Sequence, residues 1–384
     1  MTESPFTYLA PLLLLLGGIY VHRILYFYAG LTRLEAGRSD ATPEITVVVP
    51  ARNEEETIVR CLASLDAQEY PNERITVIVV DDGSTDRTAA AAKAFAERAS
   101  VRIIVVPVDS YTDTASPKVR ALMHGIQRSS APVIATTDAD CMVPRGWLRS
   151  IASAFDGTVG VVTGVTLFGR DPRLSPLFAG VQLLDFLSYT SIAAGAVGRG
   201  RVLVANGSNM AFLRSAFDAA GGFERLRHIN TGDDSLLAQS IVRDGRWSAR
   251  FLYGADATVE TAPAATFRQM LHQRFRWVGQ TAYYPPYMMF FMISTFILYI
   301  LLFVSVPMTF LHWSTVPWLT AAAKFGVDFL MMRRLTALIG VPQAMRYFAA
   351  TALVHIPFVL VSTVGGYFLS FEWKERTMTK EAAR

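Results

Sequence analysis

The chain has 384 residues, 52% of them hydrophobic, and a formal net charge of +4; its mean hydropathy is +0.30. That balance is too apolar for an ordinary water-soluble enzyme of this size, and without basic runs it excludes a nucleic-acid binder. The two cysteines, Cys61 and Cys141, exclude a disulfide framework and have no zinc-binding spacing.

The apolar excess lies at the two ends of the chain. Residues 6–21 carry no charge, and the apolar run continues past Arg23 through Ile24-Leu25-Tyr26-Phe27-Tyr28. This suits a spanning helix with Arg23 snorkelling to the interface. A signal peptide is the alternative, but Met1-Thr2-Glu3-Ser4 lacks the basic start it needs. Arg23, Arg33 and Arg38 follow the run, so the positive-inside rule places the next segment in the cytoplasm.

After a polar linker, Ile45-Thr46-Val47-Val48-Val49-Pro50 reads as a strand, and Arg52-Asn53-Glu54-Glu55-Glu56 as the opening of a helix with acids in its first turn. Residues 75–80 form a second apolar strand, ending in Asp81-Asp82-Gly83-Ser84. A helix over 86–98, a strand over 101–107, a helix from Ser116-Pro117-Lys118 and a strand over 132–135 follow. Apolar, β-branched runs alternating with helices imply a parallel sheet covered on both faces, a doubly wound α/β arrangement. The last strand leads into Thr136-Thr137-Asp138-Ala139-Asp140. Carboxylates at alternate positions of an extended segment point to one side. Two such charges resist joint ionisation unless a cation lies between them. A hard divalent ion there, completing its shell with phosphate oxygens, would sit at the carboxyl end of a strand, where open α/β sheets bind ligands. A turn rich in Asp is the plainer reading of the same residues.

The pattern then changes. A longer strand is expected over 159–168, a helix over 175–194, and a tight turn at Asn206-Gly207-Ser208-Asn209 inside the apolar stretch 201–212. Gly232-Asp233-Asp234 precedes a helix over 235–243, with Leu236, Leu237 and Ile241 on one face. Residues 264–284 hold Gln273-Arg274-Phe275-Arg276-Trp277 and mix apolar, aromatic and basic residues as an interfacial helix does. Spans are expected over 287–310, 316–332 and 348–371; Lys324 and Asp328 lie one helical turn apart in the second and can pair. One span before a cytoplasmic domain and three after it place the C-terminus outside, whereas Lys374, Arg376, Lys380 and Arg384 favour the inside.

Taken together, Val49-Pro50-Ala51-Arg52-Asn53-Glu54, Val80-Asp81-Asp82-Gly83-Ser84, Lys118, Asp138-Ala139-Asp140, Gly232-Asp233-Asp234 and Gln273-Arg274-Phe275-Arg276-Trp277 resemble the membrane-bound family 2 glycosyltransferases. The nearest branch is that of ceramide glucosyltransferase and the cellulose, chitin and hyaluronan synthases. The resemblance implies an α/β GT-A fold (a Rossmann-like nucleotide-sugar-binding domain) with N- and C-terminal transmembrane helices, a nucleotide-diphosphate sugar donor and inversion at the anomeric carbon. It implies these segments: helix and linker 1–34, cytoplasmic catalytic domain 44–262, interfacial helix 263–285, transmembrane segments 286–372 and a polar tail 373–384.

By the same resemblance Asp82 hydrogen-bonds the nucleotide base, and Pro50, Arg52 and Glu54 form the other wall of its pocket. The family often has an aromatic residue where Arg52 stands; a guanidinium can also stack on a base. Lys118 reaches donor phosphate or ribose. Asp140 binds Mn²⁺ or Mg²⁺ directly, with Asp138 beside it nearer the ribose. The family's catalytic base is the Asp of a Glu-Asp pair opening a helix. Registering Leu237 on the family's leucine puts Asp234 on the base and Asp233 on the Glu; the other register makes Asp233 the base. Gln273, Arg276 and Trp277 line the acceptor entrance. The function implied is transfer of a hexose, UDP-glucose-like, to a hydroxyl of a membrane lipid, by a multi-pass protein of the cell membrane. A processive polysaccharide synthase shares these motifs. A non-catalytic nucleotide-sugar-binding membrane protein would have lost an acid that this chain keeps.

Overall fold

The structure, a computed structural model, describes residues 6–108, 116–224, 233–278, 284–311, 314–369, 371–373 and 376–378, with the backbone alone for Thr7, Asp233 and the last two segments. The chain begins with helix α1 (Phe6–Leu31). Then come β1 (Ile45–Ala51), α2 (Ile58–Asp66), β2 (Ile75–Asp81), α3 (Thr88–Ala96), β3 (Arg102–Pro107), α4 (Pro117–Gln127), β4 (Val133–Thr136) and α5 (Trp147–Ala154). The next elements are β5 (Val159–Gly164), β6 (Thr166–Phe168), α6 (Pro176–Val197), β7 (Met210–Leu213), α7 (Arg214–Ala219), α8 (Asp233–Val242), β8 (Ser248–Leu252) and β9 (Val259–Thr261).

A seven-stranded sheet has the order β3-β2-β1-β4-β7-β5-β8. Strands β1 to β4 pair in parallel, whereas β7 runs antiparallel to both β4 and β5. Alternation along β1 explains the two faces. Val47 and Val49 pack with Leu62 and Leu65 of α2 and Trp147 of α5. Val48 points the other way, into a core with Val119 and Leu122 of α4 and Leu237 of α8. A strand buried on both sides has no use for polar alternation, which is why it reads as one apolar run.

Two expected elements differ. The acid run 52–56 is a loop, and α2 begins at Ile58. Asn53 sits at φ +51°, a left-handed conformation that Asn tolerates and that breaks a helix. The strand over 159–168 splits, because β6 leaves the main sheet to pair with β9. A Cβ on Gly164 would lie 2.6 Å from the Asn209 amide, so the chain turns there against a side chain. The tight turn expected within 201–212 forms, as a 3₁₀ turn at Gly207–Asn209, and β7 follows it from Met210.

The chain continues through α9 (Phe267–Val278), α10 (Pro286–Met308), α11 (Val316–Leu338) and α12 (Phe348–Phe368). Helices α1, α6, α10 and α11 share one apolar core, including Leu13, Phe27, Leu187, Leu298 and Leu335. Thus α6, which lies inside the interval expected to be a soluble domain, packs with the terminal helices. Its Gly195 lies so close to α1 that a Cβ would meet the Phe27 carbonyl oxygen at 2.4 Å. Among the described residues, Tyr8–Leu31, Pro176–Val197, Pro286–Met308 and Pro342–Phe368 are long and apolar enough to cross a membrane. Helix α6 joins that set in place of α11, which carries Lys324, Asp328, Arg333 and Arg334. The expected pair in α11 forms, Lys324 to Asp328 at 2.8 Å. Tyr20 of α1 donates to Asp328 at 2.7 Å, and His355 Nδ1 of α12 lies 3.2 Å from Lys324. Lys324, Asp328, Tyr20 and His355 therefore satisfy one another inside the bundle.

Candidate functional site

The loops that follow β1 and β2 are tied together. Asn53 N–H donates to Ser84 Oγ at 3.0 Å, Thr85 N–H to Asn53 Oδ1 at 2.9 Å, and Glu54 N–H to Thr88 Oγ1 at 2.7 Å. Arg52 donates to the Asp82 and Gly83 carbonyls at 2.6 and 3.2 Å. Its guanidinium thus shapes the second loop. Glu54 is buried, and its carboxylate accepts from Thr57 Oγ1 at 2.6 Å. Asp82 is buried against Arg120 of α4 at 2.5 Å. Pro50, Arg52, Glu54 and Asp82 therefore gather at the carboxyl edge of the sheet. Arg120 is a site residue that sequence reasoning missed; an arginine in an amphipathic helix gives no signal of its partner.

The Asp-x-Asp stretch follows β4 directly. Asp138, Asp140 and Cys141 each place a ligand atom within 4.8 Å of the others. Burial, then the nearby Asp140 and Asp138 carboxylates, push the thiols of Cys61 and Cys141 well up, so both stay protonated. The donors available are half-buried carboxylates and a neutral thiol, a set that suits a hard, oxygen-seeking divalent ion. Lys118 sits in the first turn of α4, capped by Ser116 Oγ, and donates to Asp138 Oδ1 at 2.6 Å.

The turn at Gly207 brings the rest together. It is fixed from several directions. Asn206 Nδ2 donates to Thr166 Oγ1 at 2.8 Å; Trp147 Nε1 donates to Asn209 Oδ1 at 2.9 Å; Asn209 Nδ2 donates to the Val165 and Ala257 carbonyls at 2.7 and 2.8 Å. Thr136 Oγ1 ties the turn to the end of β4 through the Gly207 carbonyl at 2.7 Å. The Gly207 N–H then donates to Asp234 Oδ2 at 2.7 Å, and the Ser235 N–H to Asp234 Oδ1 at 2.8 Å. A Cβ on Gly207 would lie 3.2 Å from that Asp234 oxygen and 3.4 Å from Lys118 Nζ. Lys118 and Asp234 therefore meet at one glycine, and Asp138 is joined to them through Lys118. The sequence marks Gly207 as a turn, not as a site residue. Gly232 and the Asp233 side chain lie outside the described residues. Burial and the Asp234 charge push the Tyr284 hydroxyl up to about 12.

Gln273, Arg276 and Trp277 lie on α9, which stands on α6 and α12. Arg274, between them, is buried in an ion pair with Asp185 of α6, its Nε donating to Asp185 Oδ2 at 2.7 Å. The guanidinium also covers the Trp277 ring at 4.0 Å and reaches Gln273 Oε1 at 3.1 Å. Phe186 and Tyr189 of α6 pack on Trp277 at 5.4 and 5.8 Å. Much of the Trp277 ring is taken up in seating α9. On the far side a Cβ on Gly365 of α12 would lie 2.3 Å from the Phe275 ring.

Residues 46–220 match the sequence profile of Glycosyl transferase family 2. Glycosyltransferase AglE of Haloferax volcanii is 27% identical over 234 residues, which is 61% of this chain and 71% of its own. An N-acetylglucosaminyltransferase of Azorhizobium caulinodans is 28% identical over 255 residues, 65% of this chain and 62% of its own. A beta-monoglucosyldiacylglycerol synthase of Synechocystis is 26% identical over 239 residues, 61% of this chain and 47% of its own. The match thus spans less than two thirds of the last two relatives. Among solved structures, the mannosyltransferase PcManGT of Pyrobaculum calidifontis, in complex with GDP-Man and Mn2+, superposes with a TM-score of 0.59 over 94% of this chain and 99% of its own, at 21% identity. With this sheet order, its loops at the strand ends and this profile match, the chain carries a family 2 glycosyltransferase domain of GT-A fold and is a glycosyltransferase.

Proposed function

We propose that the protein is an inverting, metal-dependent transferase that moves a hexose from a nucleotide-diphosphate sugar to a hydroxyl of a membrane lipid. The observation that carries this reading is the meeting of Lys118 and Asp234 at Gly207, with Asp138 bonded to Lys118 and grouped with Asp140. Asp140 and Asp138 would hold a divalent ion, Mn²⁺ or Mg²⁺, which when bound neutralises charge on the departing nucleotide diphosphate. Lys118 keeps Asp138 in place and carries positive charge toward the donor phosphates. Asp234, oriented by two backbone N–H groups, takes the proton of the acceptor hydroxyl as its oxygen bonds to the anomeric carbon. The bond from that carbon to the diphosphate oxygen breaks on the opposite face, so the configuration inverts.

The loops around Asp82, Arg52 and Glu54 would hold the nucleotide, for which we favour UDP with glucose. Among relatives, one is named as a beta-monoglucosyldiacylglycerol synthase, which supports a glucosyl donor and a lipid acceptor; the mannosyltransferase with GDP-Man and Mn2+ supports a nucleotide sugar and a metal. The apolar helices and the arginines after α1 support a membrane protein with its catalytic domain in the cytoplasm. The experiment is a panel of nucleotide sugars offered to purified protein in lipid, read as released nucleotide diphosphate with and without Mn²⁺ or Mg²⁺. Release from no donor in the panel overturns the reading.

Metal dependence gives one expected result. Asp140→Asn should raise the metal concentration for half-maximal turnover by at least the roughly 10–100-fold that losing even an outer partner of a metal ligand costs. Its melting temperature should barely change. Wild-type turnover by this variant in EDTA would refute the role.

Product size gives another. A channel for a growing polymer needs helices around a polar path. Among the described residues, Lys324, Asp328 and His355 of the bundle are bonded to each other and to Tyr20, not arrayed along a tunnel. Radiolabelled donor fed to membranes should yield one discrete, organic-extractable glycolipid on thin-layer chromatography. A polymer of many sugars would contradict this.

A further inference from the structure

We infer that Arg23, Arg199 and Arg201 form a binding site for the phosphate of a membrane lipid headgroup, at the rim where the apolar helices meet the catalytic domain. The three come from two distant parts of the chain, Arg23 from α1 and Arg199 and Arg201 from the segment after α6, and converge on two rings. Arg23 of α1 lies 5.9 Å from the Tyr26 ring and 5.6 Å from the Tyr287 ring. Arg199, just past α6, stacks on Tyr26 at 4.3 Å, and Arg201 on Tyr287 at 5.2 Å. Each ring is thus shared by two guanidiniums.

Among the described residues, no carboxylate pairs with any of the three. Arg199 Nε donates to the Tyr26 carbonyl at 3.1 Å, and Arg201 hydrogen-bonds Tyr287. The aromatic faces stabilise the cations from above but leave most of the in-plane N–H forks for another acceptor. Like charges gathered without a counter-charge repel one another, and the group that relieves this best is a phosphate, which guanidinium forks bind in bidentate fashion.

The surroundings point to a lipid as the source. Leu25 on α1 and Phe290 and Ile293 on α10 are exposed apolar residues close in sequence to Arg23 and Tyr287, on helices long and apolar enough to span. The ligand therefore has an acyl-facing side and a phosphate-facing side, as a phospholipid does at the headgroup level.

From the proposed function this inference takes only that the helices lie in a bilayer. The test reads lipid binding without any donor, so it can fail while sugar transfer stands, and the reverse. Full-length protein in detergent is given radiolabelled phosphatidic acid, with diacylglycerol as the phosphate-free comparison. Phosphatidic acid should bind at least about tenfold more tightly, since a charge-assisted contact of this kind is worth that much. R23Q/R201Q should lose that preference, while R33Q, an exposed arginine past the end of α1, should keep it. R201Q alone, at an exposed position outside any helix, should shift binding the same way without risk to folding. Millimolar inorganic phosphate should leave the lipid bound; full displacement would make this a soluble-anion site and overturn the lipid source. Equal binding of the two lipids, or wild-type binding by R201Q and R23Q/R201Q, would overturn the site.

Discussion

Asp234→Asn should cut sugar transfer by about 10²–10⁴, the range expected for loss of a general base. Donor binding should be unchanged. The reasoning starts from the two N–H groups that hold the carboxylate, Gly207 at 2.7 Å and Ser235 at 2.8 Å. An asparagine has nearly the same shape, and its carbonyl oxygen can still accept one of those bonds. It cannot accept a proton from an acceptor hydroxyl. Its amide nitrogen would also face a backbone N–H, donor against donor, so one bond is lost. The variant thus separates the chemistry from the fold. The measurement is single-turnover release of labelled product, beside equilibrium binding of labelled nucleotide sugar. Loss of both would show Asp234 to be a helix-capping residue whose absence disorders the donor site. An active Asp234→Asn with a dead Asp233→Asn would move the base one residue toward the N-terminus.

The half of the molecule that reads directly from the sequence is the parallel half of the sheet. Val47 to Val49 and Val77 to Val80 are apolar without interruption because both faces of those strands are buried. The same logic placed Asp138 and Asp140 at a strand end. Contacts between distant segments were not legible. Arg120 meets Asp82 across 38 residues, Asp185 meets Arg274 across 89, and Gly207 meets Asp234 across 27. No local pattern encodes any of these. The acid run after β1 misled for a related reason. Glu54, Glu55 and Glu56 favour a helix's first turn by charge alone. Tertiary hydrogen bonds to Ser84 and Thr88 outweigh that preference and hold the run as a loop. Helix α6 was legible as a helix but not as a member of the apolar bundle, because Gln182 and Asp185 lower its hydropathy. Both are buried and engaged with the segment around α9: Gln182 exchanges hydrogen bonds with the Ala264 backbone, at 3.0 and 3.3 Å.

Arg274→Ala should destabilise the protein by about 3–5 kcal/mol, the usual result of stripping one partner from a buried ion pair. Both side chains of the Arg274–Asp185 pair are almost wholly buried, at 2% and 3% exposure. Removing the guanidinium leaves the Asp185 carboxylate without its counter-charge, and it uncovers the ring of Trp277. The double replacement D185L/R274M removes both charges and keeps most of the volume, so it should recover much of the stability. What it should not recover is the placement of α9. With no Arg274 over Trp277 and no contact to Gln273, the helix bearing Gln273, Arg276 and Trp277 can shift on α6. The expected signature is a raised acceptor KM with donor affinity unchanged, because the donor loops at Asp82 and Asp138 lie on the sheet and not on α9. Arg274→Lys should behave like the single loss rather than like wild type, since an ammonium cannot give the guanidinium's fork to one carboxylate and a flat face to the indole at once. The measurements are thermal unfolding in detergent and steady-state kinetics with each substrate varied in turn. A melting temperature for Arg274→Ala equal to that of wild type would show that the pair carries no net stability. Wild-type acceptor KM in D185L/R274M would show that α9 is positioned by α12 alone, through the contacts of Phe275 and Val278 with Gly365 and Gly366.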